Sequence, residues 1–265
     1  MNYKLQFVSI FNFFFFLLFS VFTNADSMGS DSVILKGAFK NIGEYQLRPG
    51  ETLGQLIIRS GGLEAEAYPY GAVLVRKTLT EQKRKQKQTR LTEISNLDVS
   101  NDEISNIDNQ FLVIVKELLK ASKPIGRVIV EADPSLLEVA TDQDTPLLDG
   151  DVVYIPERTN TINVFGVVAN PTTHKYNANL DVMDYINKSG GILSGADDVS
   201  VRILLPNGEV VIPKISWWNY QPVNIPPGSS IIVPRDPDYF DSEFAELLVD
   251  MEVQLLIEAA QAISE

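Results

Sequence analysis

Three hydrophobic regimes follow one another along the 265 residues. Lys4 precedes an apolar stretch from Leu5 to Phe22 that contains Phe13 to Phe16, Leu17 and Leu18 and ends in Thr23-Asn24-Ala25, a small-x-small pattern. This reads as a secretory signal peptide over 1–25, cleaved after Ala25. The alternative is an uncleaved membrane anchor, since a stretch of 18 residues is near the lower limit for crossing ~30 Å of hydrocarbon. From Val33 to Asp236, short β-rich runs alternate with turns and two brief helical patterns. Beyond Pro237 the apolar positions Phe240, Phe244, Leu247, Leu248, Met251, Leu255, Ala259 and Ile263 recur at helical spacing, which predicts one amphipathic helix over 238–265.

The middle regime repeats itself. Shifted by 129 positions, Val33-Ile34-Leu35-Lys36-Gly37 falls on Ile162-Asn163-Val164-Phe165-Gly166, Asn41 on Asn170, Ile57 on Ile186, Ser60-Gly61-Gly62 on Ser189-Gly190-Gly191 and Ala67 on Ala196. Each copy predicts a β-hairpin followed by a short helix. Thr52 and Gln55, or Asp181 and Asp184, begin that helix, and only the first pair has the composition of a full capping box. Leu53, Leu56 and Ile57 form the buried face of one helix, and Val182, Tyr185 and Ile186 that of the other. Gly-Gly ends each helix, where a left-handed residue satisfies the last carbonyls. Asp149 to Pro156 and Pro227 to Pro234 close the copies as turn, β-branched strand and proline.

The copies run over 33–157 and 161–236, and their lengths, 77 and 76 residues, agree once 78–125 is taken as an insertion. Its pattern predicts a helical hairpin docked on the first module. The matched lengths also predict that the modules fold without it. Lys83, Arg84, Lys85, Lys87 and Arg90 concentrate positive charge there, as a patch for an acidic glycan or partner or simply as a solvated helix face. The chain as a whole is acidic, with 22 Lys plus Arg against 35 Asp plus Glu and a net charge of −13. That argues against nucleic-acid or anionic-membrane partners, which need a basic field. The absence of cysteine from the sequence removes disulfides, thiolate metal sites, cysteine nucleophiles and a lipobox. No cofactor or metal is expected.

With the strand–hairpin–helix order, the S-G-G helix ends and the closing G-x-x-x-x-x-P runs in both copies, the chain resembles tandem SLBB (soluble ligand-binding β-grasp) domains. The segments that carry the likeness are Gly37 to Gly62, Gly126 to Val130 with Asp149 to Pro156, and Val164 to Gly191. Together with the Lys/Arg/Gln-rich insertion, they resemble the exported polysaccharide biosynthesis and export proteins of bacteria with an outer membrane. The fold class expected is therefore α+β: two tandem β-grasp modules, a helical insertion in the first, and a C-terminal amphipathic helix. The resemblance implies a non-enzymatic component of capsule or exopolysaccharide export, located in the periplasm or associated with the outer membrane. Its implied partners are polysaccharide, other export-machinery proteins and further copies of itself. A periplasmic glycan-modifying hydrolase or lyase and a plain ligand-binding adaptor are the alternatives.

Individual residues narrow the chemistry further. Trp217, Trp218 and Tyr220 are the foremost sugar-contact candidates, because flat aromatic faces pack on the apolar faces of sugar rings, and Tyr68 and Tyr70 form a second pair. Core packing is the competing role for all five. His174 is expected on a hairpin surface rather than in catalysis. Asp142, Asp144, Asp149 and Asp151 lack the EF-hand order and read as loop and turn residues. Phe244, Leu248, Met251 and Leu255 define the apolar stripe of the last helix, which serves either assembly or packing on the chain's own modules.

Overall fold

A computed structural model describes residues 31–96, 106–213, 223–240 and 245–263. The expected signal peptide lies outside the described residues, as do Trp217, Trp218, Tyr220 and Phe244. In the first module β1 (Ser32–Gly37) turns back into β2 (Gly43–Gln46), and α1 (Leu53–Arg59) crosses one face of the sheet. Next come β3 (Val73–Val75), two long helices α2 (Lys77–Ser95) and α3 (Asn106–Ala121), then β4 (Arg127–Val128), the single turn α4 (Pro134–Leu137) and β5 (Val152–Ile155). The second module contains β6 (Thr161–Gly166), β7 (Thr172–Lys175), α5 (Val182–Lys188), β8 (Arg202–Leu204), β9 (Val210–Val211) and β10 (Ser230–Val233). A last helix, α6 (Ala245–Ile263), follows.

The sheets have the orders β2-β1-β5-β3-β4 and β7-β6-β10-β8-β9. Each has a parallel central pair, β1 with β5 and β6 with β10, flanked by antiparallel neighbours. A hairpin, a crossing helix and a return strand into the middle of the sheet constitute the β-grasp topology. Period-2 alternation sets the registers: Val33 and Leu35 point inward in β1, as do Ile162 and Val164 in β6. Gly37 and Gly166 occupy the same place in both copies, at φ +80° and +94°. A Cβ there would lie 2.1 Å from the Ile155 carbonyl oxygen and 2.0 Å from that of Val233, so the parallel strands approach this closely only at glycine.

One helix start differs from the expectation. In α5 the box is complete: the Asp181 carboxylate accepts from the Asp184 N–H at 2.9 Å, and the Asp184 carboxylate accepts from the Asp181 N–H at 3.0 Å. In α1 the expected box is present, with the Gln55 side chain accepting from the Thr52 N–H at 3.3 Å; in addition the Thr52 hydroxyl donates to Asp144 at 2.6 Å, and the other Asp144 oxygen accepts from the Gly54 N–H at 2.9 Å. A carboxylate 90 residues away in sequence thus supplies part of the cap.

The inserted hairpin is not docked on the first module as expected. Ile94 of α2 and Phe111, Leu112, Val115 and Leu119 of α3 share one apolar cluster with Leu204 and Ile232 of the second sheet and with the buried residues of α6. Strand β10 reports this arrangement, because all four of its residues are buried: α5 covers one sheet face, and α6 with the hairpin covers the other. In the first sheet β5 alternates, with Val153 and Ile155 inside and Tyr154 half-buried on the opposite face. Polar contacts complete the clasp. Lys87 of α2 donates to the carbonyls of Lys120 and Ser122 at 2.9 and 2.6 Å, satisfying the end of α3. Arg235, just past β10, lies over the Phe111 ring at 5.1 Å and pairs with Glu252 of α6 at 3.1 Å.

Candidate functional site

Where the two sheets meet, a cavity of about 480 Å³ opens beside the connector that follows β5. This is within the range of roughly 300–1,000 Å³ typical of ligand sites. Strand alternation places its side chains. Tyr154 projects from the outer face of β5 because Val153 and Ile155 fill the core, and Asn163 projects from β6 because Ile162 and Val164 do the same. Thr161 and Thr173 extend the second module's wall, and Pro156, Glu157 and Thr159 form the floor from the connector. Tyr68 is held at the rim by its own N–H, which donates to the Pro156 carbonyl at 2.8 Å. Ala260 brings α6 to the edge of the same cavity.

The polar groups are oriented rather than loose. Thr173 donates to the Asn163 side-chain oxygen at 2.7 Å, leaving the amide nitrogen toward Ser230 at 3.4 Å. The Tyr70 ring stands edge-on to Tyr68 with centroids 6.0 Å apart, and the Arg158 guanidinium lies 5.7 Å from the Tyr68 centroid. Burial pushes the Tyr68 hydroxyl above its ordinary value, with Arg158 pulling the other way; burial and then Glu209 raise that of Tyr70. Both phenols are therefore hydrogen-bonding groups, not anions, at neutral pH. Glu157 is the only acid among the described residues that line the cavity.

Arg127 fixes how the two walls face one another. Its side chain reaches from β4 across to the second module and donates to the Pro206 carbonyl at 2.6 Å, with a longer contact to the Ala72 carbonyl at 3.4 Å. In the sequence Arg127 stood out only as a member of the segment Gly126 to Val130 that carries the resemblance; a lone arginine at the start of a two-residue strand carries no periodic signal.

The other expected residues have these positions. Tyr68 lines the cavity and Tyr70, 39% exposed, buttresses it. Trp217, Trp218 and Tyr220 lie outside the described residues. His174 is half-buried, more tied down than a surface hairpin residue: its Nε2 is 2.8 Å from Ser189 Oγ, and burial, then Lys188, pull its pKa down. Three of the loop aspartates are structural. Asp144 caps α1, Asp149 accepts from the Ser32 N–H at 2.9 Å, and buried Asp151 pairs with Arg76 at 2.8 Å. Among the described residues no cluster of His, Asp and Glu has the form of a metal site, and no helix is long and apolar enough to cross a membrane. Leu248, Met251 and Leu255 are 3%, 4% and 6% exposed, buried within the chain itself.

Two β-grasp sheets sharing a polar, tyrosine-lined cavity, with a helical hairpin clasping the last helix, define a tandem β-grasp protein. Residues 32–161 match the family model of the N-terminal part of the capsule biosynthesis GfcC proteins, and residues 170–259 match the C-terminal part. The chain belongs to this capsule-biosynthesis family. It is 27% identical to YjbG of Escherichia coli (strain K12) over 165 residues, which is 62% of this chain and 65% of YjbG. It is also 29% identical to the polysialic acid transport protein KpsD of Escherichia coli over 86 residues, 32% of this chain and 15% of KpsD. The chain therefore spans just under two thirds of the length of the first relative and a small part of the second.

Proposed function

We propose that this protein is a non-enzymatic, periplasmic component of capsule or exopolysaccharide export, and that it holds a segment of glycan in the cavity between its two β-grasp modules. The observation that carries this reading is the composition and setting of the cavity. Tyr68 and Tyr154 offer aromatic surface, while Asn163, Thr159, Thr161 and Thr173 offer the mixed donors and acceptors that sugar hydroxyls require. A hydrolase would place two carboxylates ~5–9.5 Å apart across the scissile bond, whereas Glu157 stands alone among the described lining residues. Membership of a capsule-biosynthesis family and similarity to a polysialic acid transport protein support a polysaccharide ligand. The same relationship supports other export-machinery proteins as partners, with self-association and outer-membrane contact as further parts of the proposal.

The test is binding of oligosaccharide fragments of the host's own capsule or exopolysaccharide, measured by calorimetry. Tyr68→Ala is expected to weaken binding about tenfold, the loss of one well-placed aromatic contact, while Val139→Ala, at a position 82% exposed on the first module, leaves it unchanged. Equal affinity in wild type and Tyr68→Ala, with both folded, overturns the assignment of the cavity.

A further inference from the structure

A second, separate cavity lies on the seam between α2 and α6. There Lys83, Lys87 and Arg90 line a small cavity of about 100 Å³ together with Gln254 and Glu258 of α6. Their spacing of i, i+4 and i+7 puts all three cations on the helix face that also carries Ile94, which is fully buried. All three are half-buried. Lys87 is accounted for, because it caps the end of α3 through two main-chain carbonyls. Lys83 and Arg90 are not: among the described residues, no ion pair or side-chain hydrogen bond involves either of them or Glu258.

Like charges one turn apart repel, and partly dehydrated cations without a counter-ion are unfavourable. Lys87 recovers this cost by capping α3, but Lys83 and Arg90 weaken α2 with no ion pair or side-chain hydrogen bond among the described residues to offset it. With Glu258 as the one acid lining it, the cavity has an excess of two positive charges in a protein of net charge −13. Its volume equals that of about three waters, room for a single acidic group and not for a sugar ring. Arg90 brings a planar fork suited to carboxylate or phosphate, and Lys83 a point charge.

We infer that this seam is an anion subsite that takes one acidic substituent of a polysaccharide, a carboxylate or a phosphate, while the rest of the polymer stays outside. The polysaccharide part rests on the function proposed above; the anion site itself does not. Binding there also bridges α2 to α6.

Amide NMR of the intact protein at constant ionic strength tests it, with sodium glucuronate, inorganic phosphate and glucose as probes. Glucuronate or phosphate is expected to shift amides in 83–90 and 254–258 saturably, and glucose to leave them still. A response to glucuronate alone marks a carboxylate site, and a response to phosphate marks phosphate substituents. In Lys83→Gln/Arg90→Gln the dissociation constant is expected to rise about fivefold, consistent with exposed charge contacts, and Glu258→Gln is expected to lower it. The charge-keeping Lys83→Arg/Arg90→Lys pair retains binding and serves if the neutral variant does not fold. Seam amides that do not move with either anion, or that move equally with glucose, overturn the inference. Perturbation of Tyr68 and Asn163 amides by neutral fragments is read separately, so failure at the seam leaves the cleft's test intact.

Discussion

Replacing Leu248 by Ala separates a helix that belongs to the core from one held ready for assembly. Leu248 is 3% exposed and belongs to the cluster that joins α6 to Phe111 and Val115 of α3 and to Ile232 of the second sheet. Hydrophobic transfer of a leucine side chain is worth about 1.5–3 kcal/mol, and the cavity left behind brings comparable Leu→Ala replacements to about 3–5 kcal/mol. At about 2–4 °C per kcal/mol for a unit of 150–250 residues, a loss of ~3 kcal/mol lowers Tm by about 6–12 °C. Leu247, next along the same helix and 41% exposed, is the matched control: Leu247→Ala is expected to cost about 0.5 kcal/mol. Scanning calorimetry reads both Tm values, and light scattering after size exclusion reads the mass. An unchanged Tm in Leu248→Ala together with a smaller assembled mass would refute the reasoning, because it would mean that the stripe is covered by other copies.

Replacing residues 78–125 with a short Gly/Ser linker removes Ile94, Phe111, Leu112, Val115 and Leu119 from under α6. The variant is expected to lose cooperative unfolding of its second module and to bind a hydrophobic dye; a wild-type melting curve would contradict the clasp. Burial raises the Glu252 carboxyl above its ordinary 4.5, with Arg235 pulling it back only in part. The folded state then holds more protons than the unfolded one just above pH 4.5, so this group's contribution is fully present below that pH and declines as pH rises through the folded value. Denaturant midpoints of Glu252→Gln are expected to lack this decline, and an identical slope in wild type and variant counts against it. His174 has the opposite sign: burial and Lys188 lower it from 6.5, so its contribution is present above that value and is lost as pH falls through the folded one. His174→Asn is expected to flatten the acid side, and an unchanged acid limb argues against a half-buried neutral imidazole.

The two sheets were legible because the same physical demands recur 129 residues apart. Inward Val and Ile, a glycine against the neighbouring carbonyl, a capped helix and a Gly-Gly ending each leave a residue-type signal. What the hairpin touches was not legible. Adjacency in sequence pointed to the first module, and α2, with only Ile94 fully buried, has no apolar stripe to indicate a partner. The clue lay in Ser230-Ile231-Ile232-Val233, a strand apolar on both faces, which requires a cover on each side of the second sheet. The cleft was only half visible, because Tyr68 stood out as an aromatic while Tyr154 and Asn163 read as ordinary outer-face strand positions. Their convergence depends on how Arg127 and the connector set one module against the other. Distance in sequence also hid the Asp144 cap of α1, since capping patterns are recognised only when the carboxylate is local.

The central claim, that glycan occupies the cleft between the modules, is tested most directly by site-specific photo-crosslinking in cells making their own capsule or exopolysaccharide. A photoreactive phenylalanine replaces Tyr68 or Thr173 at the cavity, or Val139 on the exposed surface of the first module. The account predicts adducts that react with antibody to the polymer at Tyr68 and Thr173 and none at Val139. Adducts at Val139 alone, or none at either cavity position in cells actively exporting the polymer, would contradict it.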